Sequence, residues 1–190
     1  CWGGNAYGQL GRGHTHDLGD DEGLEDLQPV ALNASAKKVA AGAHMTCVQV
    51  SGERDDGDDA VRCFGRNHEG QLGLGHTRAV GDDEAPVVAG YALLGERATS
   101  VVAGNGFTCA VTERGAAVCF GRNAEGQLAT GGTSNVGDDE APSSLPPVDT
   151  PFCVRKVAVS GAGAHAVALL TSGRVATWGR GVEGQLGRNA

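Results

Sequence analysis

Three segments of similar sequence carry the densest supply of oxygen ligands in the chain. They read HTHDLGDDE (14–22), HTRAVGDDEAP (76–86) and GTSNVGDDEAP (132–142). Behind a glycine they place Asp20, Asp21 and Glu22, then Asp82, Asp83 and Glu84, then Asp138, Asp139 and Glu140. Carboxylates among loop carbonyls are the hard oxygen donors of which Ca²⁺ takes six to eight. The spacing matches neither the EF-hand loop nor the glycine-rich Ca²⁺ repeats. The competing reading is a turn whose Asp side chains cap backbone N–H groups while the rest stays solvated, and it carries more weight. His14 and His16 with Asp17 are a metal-ligand set by type, but loop histidines such as these, His68 and His76 ordinarily bind nothing. No Ser/His/Asp, Cys/His or paired-carboxylate arrangement stands apart, and no glycine-rich segment leads through a lysine into a helix as a phosphate cradle does. No catalytic residue and no cofactor is therefore expected, Ca²⁺ being the one ion in question.

The elements that position these turns form a repeat. One phrase occurs four times, as CWGGNAYGQLG (1–11), CFGRNHEGQLG (63–73), CFGRNAEGQLA (119–129) and TWGRGVEGQLG (177–187), at offsets of 62, 56 and 58 residues. A period of that size with a glycine-bracketed turn in each copy indicates stacked β units. Hairpins precede the last three copies. In the third repeat, 100–111 is expected as one strand, 113–115 as the turn and 116–121 as the return strand; 156–170, 171–173 and 174–179 repeat the pattern. The second repeat swells this turn to SGERDDGDD (51–59), an acidic insertion expected to project into solvent. Within the phrase, Gly8, Gly70, Gly126 and Gly184 are expected where the backbone needs φ > 0 or passes close to a neighbour. Leu10, Leu72, Leu128 and Leu186 serve as buried anchors. Gln9, Gln71, Gln127 and Gln185 read as structural amides bonded to backbone rather than as catalytic groups. Ala129 replaces the final glycine of one copy, so that turn is expected to be strained or reshaped. Pro86 and Pro142 are expected to lead into edge strands, where a missing N–H is tolerated.

Bulk composition agrees with thin, closely packed strands. There are 32 glycines in 190 residues and only 4% aromatics, so Val, Ala and Leu must fill the core. A net charge of −8 argues against nucleic acid or an anionic membrane as partner, since both call for clustered Lys and Arg. No apolar run approaches the length of a membrane-spanning helix. The chain opens on Cys1 in mid-phrase, with no initiator Met and no signal-like segment, and is expected to be a fragment of something longer.

The cysteines follow the hairpins. Cys47 and Cys63 flank the second, Cys109 and Cys119 the third, at aligned positions; the fourth has Val167 and Thr177 there, so both cysteines are present or both absent. Facing residues of an antiparallel pair lie about 4.5–5.5 Å apart at Cα, within reach of a disulfide. Bridges Cys47–Cys63 and Cys109–Cys119 are therefore expected, each contributing about 2–3 kcal/mol. The bland reading is buried thiols in a cytosolic protein; zinc is disfavoured because no paired ligand spacing occurs. Cys1 aligns with Cys63 and Cys119, which places its partner upstream, and Cys153 has no counterpart. Bridges would mean an extracellular or cell-surface setting, with cytosol as the alternative. Asn33-Ala34-Ser35 is a glycosylation sequon that fits a secretory route, although such triplets often arise by chance.

Residues 101–128, VVAGNGFTCAVTERGAAVCFGRNAEGQL, resemble the repeat of the regulator of chromosome condensation family. That repeat has a Gly-x-x-His segment, a hairpin, then Trp-Gly-x-Asn-x-x-Gly-Gln-Leu-Gly. The resemblance covers essentially the whole chain. It implies an all-β fold, a β-propeller of four-stranded antiparallel blades, here about three blades of a ring commonly of seven. The segments would be the tail of a preceding repeat (1–11) and repeats at 12–73, 74–129 and 130–187. The family histidine falls at His165, but at Phe107 and Met45 in the earlier repeats, with His44 one place before Met45; the tryptophan survives as Trp2 and Trp178 and becomes Phe64 and Phe120. These replacements keep bulk, which favours packing over chemistry.

The expected function is non-enzymatic: a propeller scaffold or protein–protein interaction module within a larger secreted or surface protein. Its partners would be other proteins or further blades of the same parent chain, because three blades do not close a ring. The resemblance implies one alternative, a guanine nucleotide exchange factor-like propeller in cytosol or nucleus. A second alternative is an accessory domain of a larger enzyme.

Overall fold

The computed structural model describes every residue except 22, 24, 26, 53–56, 58 and 189–190. Its described strands form three antiparallel sheets in chain order. The first holds β1 (Ala36–Ala41), β2 (Met45–Val50) and β3 (Ala60–Gly65). The second holds β4 (Ala98–Ala103), β5 (Phe107–Thr112) and β6 (Ala117–Gly121). The third holds β7 (Val154–Val159), β8 (His165–Leu170) and β9 (Val175–Gly179). The order within each sheet is sequential, as in a blade.

The stretches 100–111 and 156–170 are each two strands rather than one. Gly104-Asn105-Gly106 reverses the chain between β4 and β5, with the Gly104 N–H donating to the Phe107 carbonyl at 2.8 Å. In the third sheet the Gly163 N–H donates to Ser160 Oγ at 2.9 Å. Beyond β3 and β6, one residue holds the fourth place in the sheet. Gly65 and Val80 exchange N–H···O bonds of 2.7 and 3.2 Å, and Gly121 and Val136 bonds of 2.7 and 3.1 Å. Each of the first two sheets is thus three full strands and a bridge. Pro86 and Pro142 do not lead into edge strands. They open 3-10 turns, Pro86–Ala89 and Pro142–Ser144, where a fixed φ and a missing N–H suit the first helical position.

Every residue of β2, β3, β5 and β6 is buried, because each of these sheets is covered on both faces. In β8, the centre of the last sheet, every second residue is open to solvent in part or in full. One apolar core runs through all three sheets, with Phe64, Phe107, Phe120, Leu72 and Leu128 fully enclosed. Arg62 is buried among them, and its Nη1 donates to the Pro86, Val87 and Gly90 carbonyls at 2.7–2.9 Å, which ties the 3-10 turn to β3. A register shift recurs at the start of the first strand pair in every sheet, a bulge that adds twist.

The sheets are also joined by polar contacts at fixed positions. Thr46 Oγ1 donates to the Gln9 carbonyl at 2.9 Å, and Thr108 Oγ1 to the Gln71 carbonyl at 2.8 Å. In the third sheet the corresponding residue is Ala166, which has no hydroxyl. The residue paired with it across the strands, Trp178, supplies the bond instead: its indole N–H reaches the Gln127 carbonyl at 3.0 Å. Phe64 and Phe120 stand opposite the threonines. Aromatic identity and hydroxyl are therefore exchanged together, and the inter-sheet bond is kept.

Phe64 and Phe120 lie so close to Gly11 and Gly73 of the preceding phrase that a Cβ there would sit 2.8 and 2.7 Å from the ring carbons. Ala129 occupies the same place before Trp178 and keeps the left-handed backbone, at φ 56°. That conformation costs a non-glycine residue about 1–2 kcal/mol, part of which glycine forfeits through its own chain entropy. Ala129→Gly is accordingly expected to raise unfolding stability by about 0.5–1 kcal/mol in urea denaturation. A loss of stability would mean that the alanine methyl packs productively against the third sheet.

Candidate functional site

The repeated phrase builds a turn held by side-chain amides. Asn5, Asn67 and Asn123 are fully buried, and their Oδ1 atoms accept from the N–H groups of Leu10, Leu72 and Leu128 at 2.9–3.0 Å. Their Nδ2 groups donate to carbonyls of the following connection, those of His14, His76, and Gly132 and Ser134. In all four copies the glutamine Oε1 accepts from the backbone N–H two residues before it: Gln9 from Tyr7, Gln71 from Glu69, Gln127 from Glu125 and Gln185 from Glu183. Leu10, Leu72 and Leu128 are buried, whereas Leu186, at the last phrase, is half-buried. The asparagines are the residues that reading for chemistry passed over. Their signal was present, a fixed place five residues before each buried leucine, with Gly181 in the fourth copy.

The acidic turns dock on these amide-held turns. Gly81–Asp82 lies against Gly8, and Gly137–Asp138 against Gly70. The approach is so close that a Cβ on Gly8 would sit 2.3 Å from the Asp82 nitrogen, and one on Gly70 would sit 2.4 Å from that of Asp138. Both glycines have φ of +75°. The Gly13 and Gly75 N–H groups donate to the Gly81 and Gly137 carbonyls, each at 3.1 Å. The Gly-Asp-Asp-Glu segment is thus one half of a clasp between repeats.

The carboxylates of Asp82, Asp83 and Glu84 lie within 4.8 Å of one another, as do those of Asp138, Asp139 and Glu140. Glu140 Oε1 accepts from the Gly137 N–H at 3.1 Å, a cap internal to the turn. Burial, reinforced by a hydrogen bond with the adjacent aspartate and by its negative charge, holds the carboxyls of Glu84 and Glu140 above their usual value. Each trio offers one oxygen per residue, so carboxylates alone supply three of the six to eight that Ca²⁺ takes. Asp20 and Asp21 are exposed in the first such turn, and Glu22 lies outside the described residues. An open cleft of about 660 Å³ beside the second trio is also lined by His68, His76 and Arg78. Burial first, then the Arg78 charge, push the His76 imidazole below its ordinary value. Among the described hydrogen bonds none couples a hydroxyl or thiol to a histidine in this cleft, so nothing in it is arranged as a nucleophile with its base.

Cys47 and Cys63 face each other across β2 and β3, and Cys109 and Cys119 across β5 and β6. Both are non-hydrogen-bonded pairs, the closer class of facing residues, and their Cα atoms are 4.1 Å apart. The sulfurs stand at bonding distance, 2.11 and 2.09 Å. Val167 and Thr177 hold the same register in the third sheet. Cys1 and Cys153 are exposed. Asn33 is exposed with a left-handed φ of 54°, just before β1. The acidic insertion of the second hairpin lies largely outside the described residues; Asp59 at its end pairs with Lys37 at 2.6 Å, and that hydrogen bond lowers its carboxyl pKa.

Sequence comparison decides the family. The model of the "Regulator of chromosome condensation (RCC1) repeat" matches residues 1–49 and 58–111, and a second model of that description matches 98–127. This chain belongs to the RCC1 repeat family. Relatives include the mouse "Secretion-regulating guanine nucleotide exchange factor", 33% identical over 96% of this chain and 35% of its own length. The human "Regulator of chromosome condensation" is 30% identical over 94% of this chain and 40% of its own length. Prp20p from Saccharomyces cerevisiae shares the fold with a TM-score of 0.68 at 20% identity, covering all of this chain and 43% of that one. The chain therefore spans less than half the length of the relatives it matches. Its three sheets are RCC1-type propeller blades, and each clasp joins one copy of the phrase to the connection that follows the next copy.

The raised carboxyls of these RCC1 repeats set a pH dependence. A carboxyl whose folded pKa is raised binds its proton more tightly in the native state. Its stabilising effect is complete below the unfolded value and declines as pH rises through the folded one. The double variant Glu84→Gln, Glu140→Gln is expected to lose the decline in stability that sets in as pH rises above about 4.5, and to exceed the parent at neutral pH. Urea denaturation across that range checks it; a variant that parallels the parent would show that both carboxylates are fully solvated.

Proposed function

We propose that this chain is a non-enzymatic part of a propeller that serves as a protein–protein interaction module in a larger secreted or cell-surface protein. Its repeats would divide at 12–73, 74–129 and 130–187, with 1–11 closing a preceding one. The observation that carries the setting is the pairing of cysteines at bonding distance in two consecutive sheets, with both partners replaced together in the third. Buried facing cysteines in reducing compartments are held as thiols, whereas an oxidising compartment makes such a pair a stable cross-link. The acidic turns Asp20–Glu22, Asp82–Glu84 and Asp138–Glu140 give the module its negative surface, and Asn33 is the position for an N-linked glycan. No nucleic acid partner fits a net charge of −8.

A second reading is favoured by the relatives. The mouse relative is described as a secretion-regulating guanine nucleotide exchange factor, and Prp20p has been studied for its binding to Gsp1p and histones. An exchange-factor-like propeller would work in cytosol or nucleus, with its cysteines reduced.

Alkylation of the protein at the moment of extraction from its source, followed by peptide mapping without reductant, separates the two. The expected result is Cys47 linked to Cys63 and Cys109 linked to Cys119, with Cys153 alkylated. Loss of either bridge by a paired Cys→Ala change is expected to cost about 2–3 kcal/mol. All six cysteines alkylated would remove the secreted reading and put exchange activity first.

A further inference from the structure

The reversals between the first and second strands of the three sheets carry different residues: Ala43-His44, Asn105-Gly106 and Ala162-Gly163-Ala164. Asn105 is the one asparagine of the sequence that glycine follows. An asparagine closes on itself to a cyclic imide when the next residue's backbone nitrogen can reach its side-chain carbonyl carbon. The usual obstacles are a side chain on that next residue and hydrogen bonds that hold the two groups apart. Neither is present at this turn. Gly106 has no Cβ, its φ is +79°, and its N–H makes no hydrogen bond among the described residues. The Asn105 amide also has no partner among the described residues, and both residues are half-buried and reached by water. The turn belongs to the middle sheet, whose β4 packs against β1 on one side and β7 on the other. The other asparagines are placed differently. Asn5, Asn67 and Asn123 are fully buried with both ends of the amide bonded. Asn135 Oδ1 accepts from the Asn123 N–H at 3.1 Å, and Asn33 is followed by alanine.

We propose that Asn105 is a site of spontaneous deamidation. The Gly106 nitrogen gives its proton to water and attacks Asn105 Cγ. The N–Cγ bond forms, the Cγ–Nδ2 bond breaks, and the side-chain nitrogen leaves as ammonia. Water then opens the imide, so one water is consumed for each ammonia released and nothing is oxidised or reduced. Opening at Cγ restores the main chain and leaves aspartate. Opening at the Asn105 main-chain carbonyl carbon leaves isoaspartate, in which the chain runs through Cβ and is one carbon longer. The two products act differently. Asn105 lines a cleft of about 420 Å³ with Arg122, Glu125, His165 and Arg180. Arg66 and Arg180 are paired with Glu69 and Glu183 at 3.1 and 2.8 Å, whereas Arg122 has no ion pair among the described residues. Aspartate at 105 therefore brings a carboxylate into a cleft that holds an uncommitted guanidinium. Isoaspartate acts on the backbone. The reversal is held by the Gly104 N–H on the Phe107 carbonyl and the Arg122 N–H on the Gly106 carbonyl, both at 2.8 Å. An extra main-chain carbon between residues 105 and 106 moves these groups out of register.

The test follows the intact folded chain, held in mildly alkaline buffer at physiological temperature, sampled over days, then reduced, alkylated and cut with trypsin. Asn105 falls in peptide 98–114, with no other asparagine. That peptide is expected to lose its amide form progressively and to appear as two isomeric acids, of which enzymatic methyl labelling marks the isoaspartate. The peptides carrying Asn5, Asn33, Asn67 and Asn123 should keep their masses. Asn105→Gln should abolish the conversion, because the longer side chain would have to close a larger and slower-forming ring. The free reduced peptide 98–114, incubated alongside, reports the rate without the fold. Persistence of the amide in the folded chain while the free peptide converts would overturn the proposal, since the fold would then shield the pair. Equal conversion at Asn33 would overturn it too, because exposure and not the Asn105-Gly106 turn would be in control. Asn105→Asp reproduces the aspartate product and is expected to shift the Arg122 Nε resonance while that of Arg66 stays in place. An unmoved Arg122 resonance would overturn the charge effect assigned to that product.

Discussion

The contact on which the rest depends is backbone against backbone. Where Gly8 meets Gly81–Asp82, and Gly70 meets Gly137–Asp138, two turns approach until no Cβ fits on either side. Such an approach is possible only because the chain carries glycine at both surfaces in a left-handed conformation open to it. Everything else in the joint is arranged around that closeness. The buried asparagines and the glutamine amides fix the shape of one turn. The bridges at Val80 and Val136 anchor the connection that carries the other. Threonine hydroxyls, or an indole N–H in their place, then tie the glutamine carbonyls to the next sheet.

This arrangement explains why small residues suffice. With 4% aromatics, thin sheets of Val, Ala and Cys pack closely only if the turns between them do not hold them apart. The few large rings, Phe64, Phe120 and Trp178, stand where one sheet meets the preceding phrase. The acidic trios run against stability, since each crowds three carboxylates against a partly buried turn.

Much of this was legible in the chain, and for a definite reason: repetition marks positions where one geometry is required several times. The all-β class, the glycine turns and the facing cysteines all follow from aligned copies. The hairpin reversals at Gly104–Gly106 and Ser160–Ala164 were harder to see. They carry turn residues, Gly104-Asn105-Gly106 and Ser160-Gly161, but the strand that follows Gly106 is fully buried and has no alternation to mark where it begins. Pro86 and Pro142 were ambiguous because a missing N–H suits an edge strand and a first helical position equally. Whether a glycine is needed for φ alone or for a close neighbour is not written in the sequence either. Gly70 and Gly184 occupy the same place in the phrase and differ only in what comes up against them.

That pair gives the most direct test of the clasp. Gly70 and Gly184 have φ of +75° and +77°, but a Cβ would be 2.4 Å from a backbone atom in the first and would meet nothing within 4 Å in the second. Equilibrium unfolding of Gly70→Ala and Gly184→Ala separates conformation from contact. Gly184→Ala should cost about 0.5–1 kcal/mol, the left-handed penalty less the chain entropy that glycine forfeits on folding. Gly70→Ala should cost a further 1–3 kcal/mol or so from overpacking the joint. Equal losses would contradict the account, because the turns would then be holding glycine for backbone conformation and not for the approach of the neighbouring repeat.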